Sequence, residues 1–143
     1  MKRFVVIGLV LALLGALGSG CDRGSPDEVA IAFYREANAG NYKRAESYLS
    51  SHLIMSINMM QSLPGFGMIR LDNAMDAATK GGTIQRIEVE RGVEYVGSVA
   101  QVHLTIYYED RSQASDILTF QKENRQWKIV QSALLLPGFG SGP

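Results

Sequence analysis

Residues 99–108 read VAQVHLTIYY, and this stretch decides the fold. Every second side chain is apolar, and the side chains between are mostly polar. The apolar set is Ala100, Val102, Leu104, Ile106 and Tyr108. A period of two with one apolar face predicts an antiparallel strand that is buried on one side.

Weaker alternation on both sides of this strand extends the pattern over the block Thr83–Ser132. We predict further strands at Thr83–Arg91, Ser115–Lys122 and Gln126–Ser132. The segments between them are short and have the composition of turns, at Gly97-Ser98, Glu109–Ser112 and Glu123–Arg125. Short strands with short connections predict a meander of about four strands.

The residues before this block predict helices that cover one face of the sheet. Ser25 and Glu28 form a capping box around Pro26, so the first helix begins there and runs to Gly40. A second helix is predicted from Asn41 to about Leu49, and a third at Ile69–Lys80. The intervening Ser50–Met68 is less regular, although Leu53, Ile54 and Ile57 have the spacing of a helix.

The N-terminus has the features of a targeting segment. Lys2 and Arg3 precede an apolar run, Phe4–Leu17, and small residues lead to Cys21. The sequence LGSGC resembles the bacterial lipobox, which implies a signal peptide at 1–20, a lipidated (palmitate-type) Cys21 and a short tether to residue 24. The alternative is an ordinary secretory signal with an incidental cysteine. The lipobox predicts anchoring to a membrane of the bacterial cell envelope, and Asp22 weakly favours the inner membrane.

Charge and cysteine content exclude several classes of protein. The chain has 14 basic and 14 acidic residues, and removal of Lys2 and Arg3 leaves 12 and 14, a net charge of −2. A chain without a basic surplus is not expected to bind nucleic acid. One cysteine excludes an intramolecular disulfide, and 143 residues suit a single domain.

Two segments resemble a family of bacterial lipoproteins of unknown function. They are Ser25–Ser51, SPDEVAIAFYREANAGNYKRAESYLSS, and Val99–Val130, which contains the closing hairpin ENRQWKI. The resemblance implies the nuclear-transport-factor-two-like fold, also called SnoaL-like or cystatin-like. We therefore expect an α+β cone at 25–132, with about three N-terminal helices on a curved antiparallel sheet of about four strands, and a C-terminal tail at 133–143.

The resemblance implies a cone that often contains an apolar cavity. Its expected lining is Phe33, Tyr34, Leu49, Val102, Leu104, Ile106, Leu118, Phe120 and Trp127. Relatives of this fold include enzymes and non-catalytic binding modules, so the fold does not assign a function. We assign no catalytic residue, metal or cofactor. The expected partners are the membrane, an unknown protein or a small apolar ligand, and a second copy bound through the polar face of the sheet.

Several side chains allow a catalytic interpretation beside a structural one. His103 could act as a general base, but a histidine on the polar face of a strand more often lies at the surface. Asp116 could point inward with Leu118 and Phe120, but we favour a position near solvent at a strand start. Asp110 is placed in a turn. The tyrosines that could donate to an oxyanion, and more often belong to the core, are Tyr34, Tyr95 and Tyr108.

Two features of the irregular segment have no assigned role. Met55 and Met59, with His52, could bind Cu(I), although methionine more often fills irregular apolar surfaces. The string LPGFG occurs twice, at Leu63–Gly67 and Leu136–Gly140. Its phenylalanines would either enter lipid or a partner, or pack against the cone.

Three functions are compatible with this sequence. We favour a lipid-anchored protein with a non-catalytic binding or accessory domain. The alternatives are an isomerase or hydrolase-type enzyme that uses the cone, and a lipid-handling module.

Overall fold

The computed structural model describes residues 24–65 and 70–136. The predicted signal peptide, Cys21 and Asp22 lie outside the described residues, as do Phe66 and Phe139 of the two LPGFG strings. Four helices precede four strands. The helices are α1 (Pro26–Asn38), α2 (Tyr42–Glu46), α3 (Ser51–Gln61) and α4 (Leu71–Thr79), and the strands are β1 (Ile84–Val96), β2 (Val99–Tyr108), β3 (Gln113–Glu123) and β4 (Gln126–Ser132).

The strands form one antiparallel sheet in the order β1-β2-β3-β4, which confirms the predicted meander. The bounds of β2 and β4 are those predicted from the sequence. Strand β1 continues to Val96, five residues beyond the prediction. It does so because a bulge between Val89 and Val93, which contains Gly92 at a φ of +72°, restores the pairing with β2.

The two faces of β2 have the environments that its alternation predicts. The even-numbered residues are at most 2% exposed and form the centre of the core beneath α1. The odd-numbered residues lie on the opposite face, where Thr105 is buried because its hydroxyl donates to Glu90 across the bulge of β1. The sequence therefore predicted correctly which face of the sheet the helices cover.

The structure has four helices where the sequence predicted about three. Helix α2 ends at Glu46, earlier than expected, because Leu49 pairs with Ile129 at the outer edge of β4. Ser50 N donates to Ile129 O at 2.8 Å, and Ile129 N donates to Tyr48 O at 2.9 Å. The Ser50 side chain then accepts from Leu53 N at 3.0 Å and begins α3.

Helix α1 crosses the sheet from the β4 side to the β1 side. At its end, Asn38 Oδ1 accepts from Ile84 N at 2.9 Å, which joins the helix to β1. Gly82 passes so close that a Cβ there would lie 2.7 Å from Asn38 O. One turn earlier, Tyr34 reaches β3, and α1 also contacts β4. The beginning of α1, near Ser25, therefore lies toward β4.

The chain continues to pack against the domain after β4. Leu135 is 2% exposed, and Leu136 is partly buried. Packing against the core therefore continues past Ser132, and residues 137–143 lie outside the described residues. No helix within residues 24–65 and 70–136 is both long and apolar enough to cross a membrane.

Candidate functional site

A buried polar cluster centred on Asp116 joins α1, β3 and the end of β4. Asp116 is 1% exposed and accepts four hydrogen bonds. Its Oδ2 accepts from Tyr34 Oη at 2.5 Å and Ser132 Oγ at 2.7 Å. Its Oδ1 accepts from the main-chain nitrogens of Ala133 at 2.8 Å and Leu134 at 3.3 Å. The favoured expectation that Asp116 lies near solvent was wrong, because its alternation with Leu118 directs it inward.

The Asp116 cluster is closed to solvent, and the hydroxyls of Tyr34 and Ser132 both donate to the carboxylate within it. Burial raises the pKa of Tyr34 well above its ordinary value, and the nearby Asp116 raises that pKa further. Ser132 Oγ also accepts from Leu135 N at 3.2 Å, which fixes the turn after β4. Among the described residues, no buried side-chain nitrogen or oxygen lacks a hydrogen-bond partner. The cluster is therefore built to hold α1 and the turn after β4 against the sheet.

The residues predicted to line a cavity lie mostly in the packed core. Eight of the nine are at most 3% exposed: Phe33, Tyr34, Leu49, Val102, Leu104, Ile106, Leu118 and Phe120. Trp127 is only partly buried and stacks at a tilt on Tyr95, with ring centroids 6.0 Å apart. A cavity between these side chains would require the core to open, so that role stays a prediction.

The other catalytic candidates have separate environments. His103 lies on the outer face of the sheet opposite Ile117, and Asp110 lies in an exposed turn where it accepts from Lys80. Tyr108 is buried and donates to Ala78 O at 2.6 Å, and Tyr95 is exposed. In the described parts of the chain, no group of three or more His, Cys, Asp or Glu side chains is arranged to hold a metal ion.

An open groove runs between α3 and β4, and we call it the α3–β4 groove. Its volume is about 740 Å³, within the usual range of ligand-binding pockets. Six of its lining side chains are apolar and five are neutral polar groups or histidine. They are Leu53, Met59, Met60, Leu63, Val130 and Leu136, with His52, Ser56, Ser62, Gln131 and Ser132.

Helix α3 exposes apolar side chains beside this groove. Leu53 and Ile57 face the core, so the opposite side of the helix points outward. On that outer side Met55 is 56% exposed and Met59 is 63% exposed. Leu63, just beyond the end of the helix, is 52% exposed. Large apolar side chains left in water next to an apolar groove indicate a binding surface.

The described residues that line the groove belong to two chain segments without Asp, Glu, Lys or Arg. Residues 47–69 are free of these four types, and so are residues 129–143, although these types make up 20% of the chain. The cleft on the other side of α3 has four charged side chains, Lys43, Glu46, Arg70 and Asp72. This local absence of charge was visible in the sequence, and it is the signal that would have located the groove.

The first residues of the two LPGFG strings lie at the same groove. Leu63 begins the first copy, Leu136 begins the second, and both side chains line the α3–β4 groove. The two copies therefore start at the same surface although they are far apart in the chain. His52 and Met59 also line this groove, whereas Met55 lies on the exposed outer side of α3 beside it.

Comparison with known proteins identifies the fold and a family without an assigned function. No curated protein sequence matches the chain. Two solved structures share its fold. A provisionally named NTF2-like transpeptidase from Campylobacter jejuni is 14% identical, with a TM-score of 0.52 over 76% of this chain and 99% of that one. A SEC-C motif containing protein from Rhodopseudomonas palustris is 12% identical, with a TM-score of 0.54 over 81% of this chain and 83% of that one.

These two likenesses support the nuclear-transport-factor-two-like fold and extend to the fold alone. The family match is broader, because it covers residues 19–130, which include every helix and nearly all of the sheet. The chain belongs to the family described as "Domain of unknown function (DUF4878)".

Proposed function

We propose that this protein is a lipid-anchored protein of the bacterial cell envelope whose α+β domain binds an apolar ligand in the α3–β4 groove and catalyses no reaction. The observation that carries the proposal is the groove itself, which is open, free of Asp, Glu, Lys and Arg, and bordered by exposed methionines. Methionine side chains are unbranched and adaptable, which suits a surface that accepts apolar ligands.

The anchor is supported by the sequence before the domain. The LGSGC string ends in the chain's one cysteine, three residues before Gly24. We expect the full-length chain, expressed in a bacterial host grown with radioactive palmitate, to incorporate the label. The Cys21→Ser variant should incorporate none. Equal labelling of the two chains would remove the basis of the anchor.

The absence of catalysis is supported by the burial of Tyr34 and Asp116, the two side chains that most resemble an acid–base pair. Tyr34 and Asp116 are within hydrogen-bond reach, as in an acid–base pair, and this contact is what favours the enzyme alternative. Both side chains are sealed in the core, however, and each of the four bonds to Asp116 has a structural purpose. Turnover of a small ketone or hydroxy substrate that Asp116→Asn abolishes, in a variant that remains folded, would establish the enzyme instead.

Ligand binding in the groove can be tested with two substitutions on one helix. Ser56 lines the α3–β4 groove, and Asn58 lines the charged cleft on the other side of α3. We would purify the full-length chain gently from its own host and identify retained molecules by native mass spectrometry. A retained molecule should disappear in Ser56→Arg and remain in Asn58→Arg. The proposed site would be contradicted if the wild-type chain retained no molecule, or if the two variants retained it equally.

A further inference from the structure

We infer that the ligand of the α3–β4 groove is an acyl chain of a membrane lipid. The inference rests on the proposed function and names the ligand class of the same site. Three features of the described residues support it: the chemistry of the lining, the occupied edge of β4, and the place where the chain enters the domain.

The lining of the groove matches a ligand that has no charge and few polar atoms. Among the described lining residues His52 is the one ionisable side chain, and the apolar residues extend from Leu53 at the inner side to Leu63 at the rim. A peptide with charged side chains would find no opposite charge here, and burial of an unpaired charge is costly. An acyl chain has no polar group of its own to leave unsatisfied. Its length can vary, because Met59 and Met60 can change rotamer around it.

The edge of β4 is already hydrogen-bonded at Ile129, the residue before the groove wall begins at Val130. An extended peptide would bind by adding a strand to this edge through main-chain hydrogen bonds. Ile129 cannot accept such a strand, because its N–H donates to Tyr48 and its C=O accepts from Ser50. A peptide strand that extended along β4 past Val130 would therefore find the edge occupied at Ile129. A lipid tail needs no such bonds.

The groove lies on the side of the domain where the chain arrives from its anchor. Helix α1 begins toward β4, the strand that forms one wall of the groove. Cys21 is three residues before Gly24, and an extended chain spans at most about 3.6 Å per residue, so the Cα atoms of Cys21 and Gly24 are within about 11 Å of each other. A lipidated Cys21 would thus hold the β4 side of the domain beside the bilayer, where acyl chains are available.

Site-specific photo-crosslinking in the full-length lipidated chain tests this inference. Benzoylphenylalanine would replace Met60 in the groove or, as a control, Ile117, which is exposed on the opposite face of the sheet. Each protein would be reconstituted into vesicles of phosphatidylethanolamine and phosphatidylglycerol and irradiated. Mass spectrometry would then measure the mass of each adduct. We expect phospholipid adducts at position 60 at several times the yield at position 117. Adding Ser56→Arg should reduce this yield several-fold, and adding Asn58→Arg should not.

The outcomes separate the ligand class from the site. A crosslinked dimer at position 60 would identify a second copy of the chain as the occupant and overturn the lipid inference. Irradiation of the same protein in isolated host membranes would reveal a protein partner as a larger adduct, with the same consequence. In both cases the groove remains a binding site. If position 60 forms no adduct above the Ile117 control in either setting, the lipid inference and the proposed binding site both fail.

Discussion

The Asp116 cluster and the α3–β4 groove differ in almost every physical respect. The Asp116 cluster contains a carboxyl and a phenol, which are groups that could act as an acid–base pair. Its hydrogen-bonding groups are all paired inside the core, however. The described lining of the α3–β4 groove contains no Asp, Glu, Lys or Arg, and the groove leaves large apolar side chains in water. The two are connected, because the turn that Asp116 holds leads directly to Leu136 in the groove wall.

The comparison teaches that polar residues inside a cone do not by themselves indicate an active site. A buried carboxyl with four donors contributes to stability, since each lost partner would leave a buried group unpaired. Exposed methionines without a partner add nothing to the stability of the fold, and so they call for a functional explanation. The following predictions test this division between a stabilising cluster and a binding surface.

Removing the carboxyl of Asp116 should have the largest effect on stability. Asp116→Ala leaves the hydroxyls of Tyr34 and Ser132 and two main-chain N–H groups without their acceptor. The two hydroxyls are buried and the two N–H groups are partly buried, so at about 1–3 kcal/mol for each buried group left unpaired we expect a loss of about 4 kcal/mol in the free energy of unfolding. Urea denaturation of the full-length chain measures this loss. Asp110→Ala, in an exposed turn, is the matched control, and similar midpoints for the two variants would contradict the stabilising role of Asp116.

The two sides of α3 should respond differently to the same kind of truncation. Ile57 is fully buried and faces the core, whereas Met59 is mostly exposed. Ile57→Ala should cost about 3 kcal/mol, because it removes buried apolar atoms and leaves a cavity. Met59→Ala should change the free energy of unfolding by less than about 0.5 kcal/mol, as is usual at an exposed position. Equal effects in urea denaturation would mean that the outer side of α3 is part of the core.

The hydrogen bond from Tyr34 to Asp116 should contribute a smaller, pH-dependent amount. Tyr34→Phe should lower the free energy of unfolding at neutral pH by about 1–2 kcal/mol, since it removes one buried hydrogen bond. The pKa of Tyr34 is raised in the folded state, so its stabilising contribution is complete below about pH 10, the ordinary tyrosine value. It is then lost as the pH rises toward the folded-state pKa.

Urea denaturation at neutral pH and above pH 10 would measure this dependence. The stability gap between the wild-type chain and Tyr34→Phe should narrow as the pH rises through that range. Tyr95→Phe is the control, because Tyr95 is exposed and its substitution removes no buried hydrogen bond. A gap that stays constant in alkaline solution would show that the raised pKa of Tyr34 has no part in stability.

The fold was predictable because its signals are local and periodic. The alternation of residues 99–108 determined the buried face of the sheet, and the capping box at Ser25 located the first helix, where Glu28 accepts from Ser25 N at 3.2 Å. The early end of α2 could not be predicted, because it depends on the pairing of Leu49 with Ile129, far away in the chain. Asp116 was misplaced for a related reason: its four donors come from α1, from the last residue of β4 and from the turn after it.

The groove was harder to predict than the fold, because its walls are distant in sequence. The methionines and the paired LPGFG strings were recognised as unusual, but the alternation and capping rules do not bring Leu63 and Leu136 to one surface. The spacing of α3 does predict that Leu53 and Ile57 face inward, which leaves Met55 and Met59 outside. The sequence does not indicate that β4 and the turn after it lie beside the outer side of α3.

The smallest expected change in stability is paired with the most informative change in binding. Leu63 is half-exposed at the rim of the groove, so Leu63→Ser should alter the free energy of unfolding by less than about 0.5 kcal/mol. The same substitution replaces apolar contact area with a hydroxyl, and it should reduce the yield of phospholipid adducts at position 60. Val96→Ser is the control, because Val96 is also a highly exposed apolar residue but lies at the β1–β2 hairpin. If the two substitutions reduce the yield equally, general surface hydrophobicity rather than the groove determines lipid contact.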